Sequence, residues 1–344
     1  MTRRNDDDLP SIATAGDVAQ LANVSQSAVS RAFTPGASVA PETRKRIMAA
    51  AEKLGYSPDM IARSLMRGRS SIVGVGVGNL ANPFLSAALA LLVSRLAEVG
   101  LRVLLFPTDD TSVTNFPGRE VLQYRLDALL MLATAVSPRL AEQCARARVP
   151  VVLFNRQAPE DGDASSISGD NEGGGRSVAA FLAAGQHERF AYISGIEASL
   201  ASQEREAAFS AYLLENGLAP PVVEQGEFTY QGAAAATRRL LLRKERPDAI
   251  FCANDLTAIA AIDVSRTEFG LSVGRDVSIV GFDDIALAGW PSYSLTTYGL
   301  STKQLVDETV ATIQAVRNGS QPRRTIVTGG LVIRSSARVP QSVL

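Results

Sequence analysis

The residues best suited to chemistry in this 344-residue chain are those of molecular recognition. Ser25, Gln26, Ser27, Ser30 and Arg31 follow a turn at Asn23-Val24. Short polar side chains at a helix N-terminus, with an Arg one turn later, suit hydrogen bonds to base edges and phosphates in a DNA major groove. Two short amphipathic helices must hold them. In the first, Thr14 with Asp17 three residues on makes a capping box, with Asp in place of Glu, and Val18, Ala19, Leu21 and Ala22 form the expected apolar stripe. Ser25 can cap the second helix, which is expected to bury Ala28, Val29 and Ala32 and to turn Gln26, Ser27, Ser30 and Arg31 outward. That spacing fits a DNA-binding helix-turn-helix, and it equally fits a helical hairpin with one solvated face.

Catalytic chemistry finds little support. His187 is the only histidine, which argues against His-ligated metals and Ser-His-Asp hydrolysis. Cys144 and Cys252 stand alone with no C-x-x-C, so reduced thiols are expected rather than a disulfide or a zinc site. Gly74-Val-Gly-Val-Gly78 does not complete G-x-G-x-x-G, because Asn79 holds the last glycine position, and no G-x-x-x-x-G-K-[ST] is present. No catalytic residue, metal site or cofactor is therefore expected, and the chain reads as a non-enzyme.

Apolar content of 46% with 20% charge describes a globular chain. No run approaches the ~18 apolar residues of a membrane span, and the polar N-terminus carries no secretory h-region, so a cytoplasmic location is expected, with no membrane partner. Net charge is −1 but unevenly spread: residues 9–70 carry eight Lys/Arg against four acids, and the remainder of the chain is acidic. A small basic head on an acidic body is the footprint expected when only the head meets phosphate.

In chain order, residues 1–9 read as a disordered tail and 10–57 as an all-α helix-turn-helix headpiece. Its third helix runs from Pro41 to Leu54, stopped by Gly55, with Ile47, Ala50, Ala51 and Leu54 inward. Residues 58–70 hold a helix of two turns, about 59–66, too short to be stable alone. From Ile72 onward, β-like and α-like stretches alternate, the rhythm of βαβ units and parallel sheets. Strands are expected at 72–78, 101–106, 127–132, 150–154, 165–168, 189–194, 222–227, 248–252 and 277–281, and helices at 84–99, 117–125, 138–147, 171–184, 200–216, 231–244 and 254–269. So many strands predict two doubly wound parallel sheets, with a ligand cleft beyond their carboxyl ends.

On these motifs the chain resembles the lactose-repressor (LacI/GalR) family of bacterial transcription regulators. The head carries Asp17-Val18-Ala19, Ala22, Val24-Ser25 and Val29-Ser30-Arg31, then Val39, Thr43-Arg44, Tyr56-Ser-Pro58 and Ala62-Arg-Ser-Leu65. The body carries Asn82-Pro-Phe84, Asn254-Asp255, Val280-Gly-Phe-Asp-Asp284 and Leu295-Thr-Thr297. The resemblance implies a two-lobed, periplasmic-binding-protein-like body over residues 71–338. One lobe takes about 71–168 plus 299–327, the other about 169–298 plus 328–338. It also implies a homodimer on a near-palindromic operator, acting as a repressor controlled by a small molecule, a sugar or sugar derivative.

By position, Gln26 and Ser27 would read bases and Arg31 would touch a base edge or phosphate. Ser25, Ser30, Thr34 and Tyr56 would position the DNA backbone. Ala62 and Leu65 belong to the hinge helix, whose leucine is wedged into the minor groove. Arg205 and Asp283 match the effector-contacting Arg and Asp, and Asn254 a cleft amide. Phe84 and Phe228 match side chains that cover the ligand, and Asn155-Arg156 could add a donor pair. Trp290 could stack on a sugar at the cleft mouth or anchor subdomain packing. The alternative is a transport-type solute-binding protein with the same body and no DNA-binding role.

Overall fold

The computed structural model describes residues 13–34, 36–57, 69–108, 118–134, 136–159 and 162–340. The expected tail and the expected hinge helix, with Ala62 and Leu65, lie outside the described residues. The chain divides into two compact units, Met1–Ser70 and Ser71–Leu344.

In the first unit, α1 (Ala15–Ala22) begins at the expected capping box: Asp17 accepts the Thr14 backbone N–H at 2.7 Å, and the Thr14 hydroxyl accepts the Asp17 N–H at 3.3 Å. Asn23, in left-handed backbone at φ 51°, ends it. Ser25 caps α2 (Gln26–Ala32) through the Ala28 N–H, and α3 (Pro41–Leu54) starts on Pro41 and stops at Gly55, φ 62°. Val18, Ala19, Ala22, Val29, Ala32, Ile47, Ala50 and Ala51 close the core. Two expected core residues lie outside it: Leu21 is 46% and Leu54 36% exposed, and Ala28 is only half-buried. At about 100° per residue, Val18, Ala22 and Ala19 cover one arc of α1, and Leu21 falls about 60° beyond its edge. Leu54 is the last residue of its helix.

Among the described residues, the second unit contains two six-stranded sheets. The first holds β1 (Ile72–Val77), β2 (Arg102–Pro107), β3 (Ala128–Leu132), β4 (Val151–Phe154), β5 (Ser165–Gly169) and β11 (Arg324–Val327), all parallel in the order β11-β5-β4-β3-β1-β2. The second holds β6 (Phe190–Ser194), β7 (Val222–Gln225), β8 (Ala249–Cys252), β9 (Ser278–Asp283), β10 (Thr296–Gly299) and β12 (Gly330–Val332), in the order β12-β10-β9-β8-β6-β7. Its β10–β12 pair is antiparallel and its other pairs among the described residues are parallel. The chain changes sheet after β5, after β10 and after β11, so residues distant in sequence complete each sheet.

Helices cover the sheets: α4 (Pro83–Glu98), α5 (Gly118–Leu122), α6 (Pro138–Ala147), α7 (Asn171–Ala184), α8 (Leu200–Glu215), α9 (Tyr230–Leu241), α10 (Asp255–Thr267) and α11 (Thr302–Arg317). The expected helix over 117–125 shrinks to the five residues of α5, while β9 runs two residues past its expected end and carries Phe282 and Asp283. The inner strands β3, β4, β5, β8 and β9 are wholly buried runs, as parallel strands covered on both faces require. Fully buried aromatics anchor the second sheet: Tyr192 and Phe251 lie 5.2 Å apart, centroid to centroid, and Phe209 stands 5.2 Å from Phe251.

Gly281, inside β9, passes over the buried Asp255 carboxylate. A Cβ there would stand 2.2 Å from Asp255 Oδ1, which cannot retreat because it accepts the Thr297 hydroxyl at 2.6 Å. We expect Gly281→Ala to cost about 1–3 kcal/mol, read as a lower denaturation midpoint. An unchanged midpoint would show that the carboxylate is free to move.

Candidate effector site and DNA-facing helix

In the head, Ser25, Gln26, Ser27, Ser30 and Arg31 are all exposed on α2. Gly16 leaves room for Gln26: a Cβ there would stand 2.9 Å from Gln26 Nε2. The Ser25 and Ser27 hydroxyls are 2.9 Å apart, and the half-buried Thr34 donates to the Ser30 carbonyl at 2.9 Å. Tyr56 is half-buried, edge-on to Phe33 at 5.8 Å. Arg44 donates to the Ala32 and Ala37 carbonyls, pinning the loop between α2 and α3.

In the second unit, the carboxyl ends of the strands converge on a cavity of about 200 Å³. Asn79 follows β1, Thr108 follows β2, Thr134 follows β3 and Asn155 follows β4. From the second sheet come Ile196 after β6, Glu227 and Phe228 after β7, Asn254 after β8 and Asp283 at the end of β9, with Arg205 from α8.

Arg205 is 2% exposed. Its guanidinium lies 3.5 Å over the Phe282 ring, a cation–π contact in a desolvated place. Its Nε donates to Asn171 Oδ1 at 2.9 Å, one terminal nitrogen donates to the Ala253 carbonyl, and the other stands 3.9 Å from Asp283 Oδ1. That last distance is an ion pair but not a hydrogen bond. Asp283, 4% exposed and in left-handed backbone at φ 114°, therefore keeps an unpartnered oxygen. Burial pushes its carboxyl up to about 7, against the opposing pull of Arg205. Asp255 next to it is fully buried, holds the Ile285 N–H at 2.8 Å, and is raised well above the carboxylate range by burial and then by Asp283.

Six buried side-chain polar atoms lack a hydrogen-bond partner among the described residues, and four line this cavity: Thr108 Oγ1, Thr134 Oγ1, Asn155 Oδ1 and Asp283 Oδ1. Native interiors leave few such atoms unsatisfied, so these four offer a polar group in the cavity hydrogen bonds that the protein itself does not make.

Of the six residues expected at the effector, Asn155, Arg205, Phe228, Asn254 and Asp283 line the cavity. Phe84 does not. It is 2% exposed and stacked on Phe154 at 6.4 Å, because it shares the inward stripe of α4 with Ala88 and Leu92; its neighbour Leu85 reaches the cavity wall instead. Asn254 caps α10, its side-chain oxygen accepting the Thr257 N–H at 3.0 Å. Phe228 lies against Gly195, where a Cβ would stand 2.2 Å from its ring. Trp290 is 54% exposed and is not among the residues that line the cavity.

Sequence reasoning missed Asn171 and Glu204. Asn171 opens α7, accepting from Arg205 and donating to Glu204 Oε2 at 2.7 Å, so it orients the arginine. It also missed Thr108 and Thr134. The available signal was their place just beyond the carboxyl ends of strands expected at 101–106 and 127–132.

Residues 14–59 match the family of bacterial regulatory proteins of the lacI type, and residues 178–337 match the periplasmic binding protein-like domain. The ribose operon repressor of Escherichia coli (strain K12) is 31% identical over 83% of this chain and 87% of its own length. The chain belongs to the lacI family of bacterial regulatory proteins. Like other members of the lacI family, it is a DNA-binding transcriptional regulator. A crystal structure of the lac repressor dimer bound to operator and the anti-inducer ONPF superposes with a TM-score of 0.86 at 26% identity, over 95% of this chain and 99% of that one. The complex of the regulator CelR with cellobiose follows at a TM-score of 0.71 and 29% identity, over 94% and 100%. The headpiece match gives the transport-type alternative no support. Among the described residues, no helix is long and apolar enough to cross a membrane.

The raised Asp283 carboxyl has a consequence for stability. Between the ordinary value of 3.8 and about 7, the unfolded chain ionises this group while the folded body keeps it protonated. The unfolded state then binds fewer protons, so this group's effect on folding turns unfavourable as pH rises through that window. Asp283→Asn carries no such loss. Its stability relative to the parent should rise from pH 4 to pH 7 by on the order of 2–4 kcal/mol and then level off, measured by urea denaturation at each pH. A pH-independent difference would refute the raised carboxyl.

Proposed function

We propose that this regulator represses transcription by binding a near-palindromic operator as a homodimer in the cytoplasm. A small polyhydroxylated molecule, a sugar or sugar derivative, held between the two lobes of the body controls that binding. The observation that carries the effector half is the set of unpartnered oxygens at Thr108, Thr134, Asn155 and Asp283 around one cavity. Each sugar hydroxyl both donates and accepts, so adjacent hydroxyls can satisfy these atoms and the remaining Arg205 and Asn254 donors together. Phe228 supplies an apolar side for the ring. The names of relatives agree: one is a ribose operon repressor, one is complexed with cellobiose, and the lac repressor is a dimer on its operator.

On the head, Gln26 and Ser27 read base edges, and Arg31 touches a base edge or a phosphate. Ser25, Ser30, Thr34 and Tyr56 hold the DNA backbone. Thr34 must turn its hydroxyl from the Ser30 carbonyl to donate to a phosphate. The roles of Ala62 and Leu65 in the minor groove rest on the family resemblance alone. The site offers recognition by hydrogen bonds and an ion pair, and we assign it no catalytic residue.

Binding to the chain's own upstream DNA and to random duplex should be compared between about 50 and 200 mM salt by fluorescence anisotropy. A specific preference that weakens steeply with salt is expected, and equal binding to both duplexes would overturn the reading. Asp283→Ala should abolish the response to the effector while leaving operator affinity essentially unchanged. Loss of both together would make Asp283 a structural residue rather than a ligand contact.

A further inference from the structure

Among the described residues, two arginines line the cavity, and the protein uses them differently. Arg205 is held by Phe282, Asn171, the Ala253 carbonyl and Asp283. Arg156, two residues past the end of β4, is half-buried and makes no hydrogen bond or ion pair with any described residue. Burial lowers its pKa, and no carboxylate acts against that shift. A guanidinium remains charged even so, with its planar fork of donors intact. The charges on the wall are also divided. Glu204, Glu227 and Asp283 all come from the lobe of the second sheet, whereas among the described residues Arg156 is the only charged lining residue from the first-sheet side. The oxygens of Thr108, Thr134 and Asn155, unpartnered among the described residues, line the same cavity from the same side.

We propose that Arg156 is an anion subsite, and that the effector is a polyhydroxylated anion, a sugar acid or sugar phosphate. The fork of Arg156 takes two oxygens of the carboxylate or phosphate in parallel hydrogen bonds. The hydroxyls of the same molecule go to Thr108, Thr134, Asn155 and Asp283. A neutral sugar would satisfy those oxygens and leave Arg156 desolvated without a counter-ion, which discriminates against it. This inference rests on the ligand-binding reading of the cavity. The competing occupant of the fork is Glu227 across the cleft, which is exposed and makes no hydrogen bond or ion pair with any described residue.

The test is a thermal-shift panel in which each of several neutral hexoses and pentoses is paired with its uronate, its aldonate and its terminal phosphate, with sodium chloride matched throughout. An anionic member should raise the melting temperature of the wild-type protein where its neutral parent does not. Arg156→Met should weaken that anion by roughly ten- to a hundredfold, and Arg156→Lys should restore part of it. The carboxylate and phosphate arms distinguish a sugar acid from a sugar phosphate. Stabilisation by neutral members alone, or an anion response that survives Arg156→Met, overturns the inference and leaves the ligand-binding reading standing. Silence across the whole panel contradicts both. Without ligand, Arg156→Met and Glu227→Gln should shift the melting temperature additively. Non-additive shifts would assign the fork to Glu227 and overturn the anion subsite.

Discussion

A guanidinium removed from water must be compensated on every side, and the second unit is arranged around one such group. Arg205 has an aromatic face beneath it, two hydrogen-bond acceptors beside it and a carboxylate 3.9 Å away. Those partners come from α7, from the end of β8 and from β9, so the arginine ties together three elements besides its own helix. A contact at that distance does not offset the desolvation of both ions, and the raised Asp283 carboxyl reflects the shortfall. The site is therefore built with one connection missing. A ligand hydroxyl between the two groups would complete it.

The same economy of hydrogen bonds explains where the cavity lies. Parallel strands bury their interiors and bring their last residues to one edge, where backbone and side chains stop pairing with the sheet. Two such sheets contribute residues to a single cavity. The polar atoms there are the ones the strands can no longer satisfy. Asp255 shows the contrast: equally buried, it is fully used, by Thr297 and Ile285, and so it fixes the turn that follows Asp283 at the end of β9 rather than offering anything to a ligand.

Much of this was legible in the residues because the signals were local. Thr14, Ser25, Pro41 and Gly55 marked helix ends that the structure reproduces, since capping chemistry depends on neighbours three or four residues away. The alternation of apolar runs and amphipathic stretches placed every strand of the β1–β9 series within about two residues. Side chains whose role depends on distant partners were harder. Phe84 carried a family motif yet points into the core, a matter of which stripe of α4 faces the sheet. Asn171 gave no sign of its link to Arg205, because the contact spans 34 residues. Leu21 looked apolar enough for the core and lies outside it, because a three-helix head this small has only one buried arc per helix.

In the function proposed above, a molecule in the cavity and an operator on the head control each other. Thermodynamic linkage makes that mutual control measurable. A ligand that raises the melting temperature should be titrated into the free protein and into the protein saturated with operator duplex. Two different affinities are expected, and their ratio must equal the factor by which the ligand changes operator affinity. Identical ligand affinities with and without operator would contradict it.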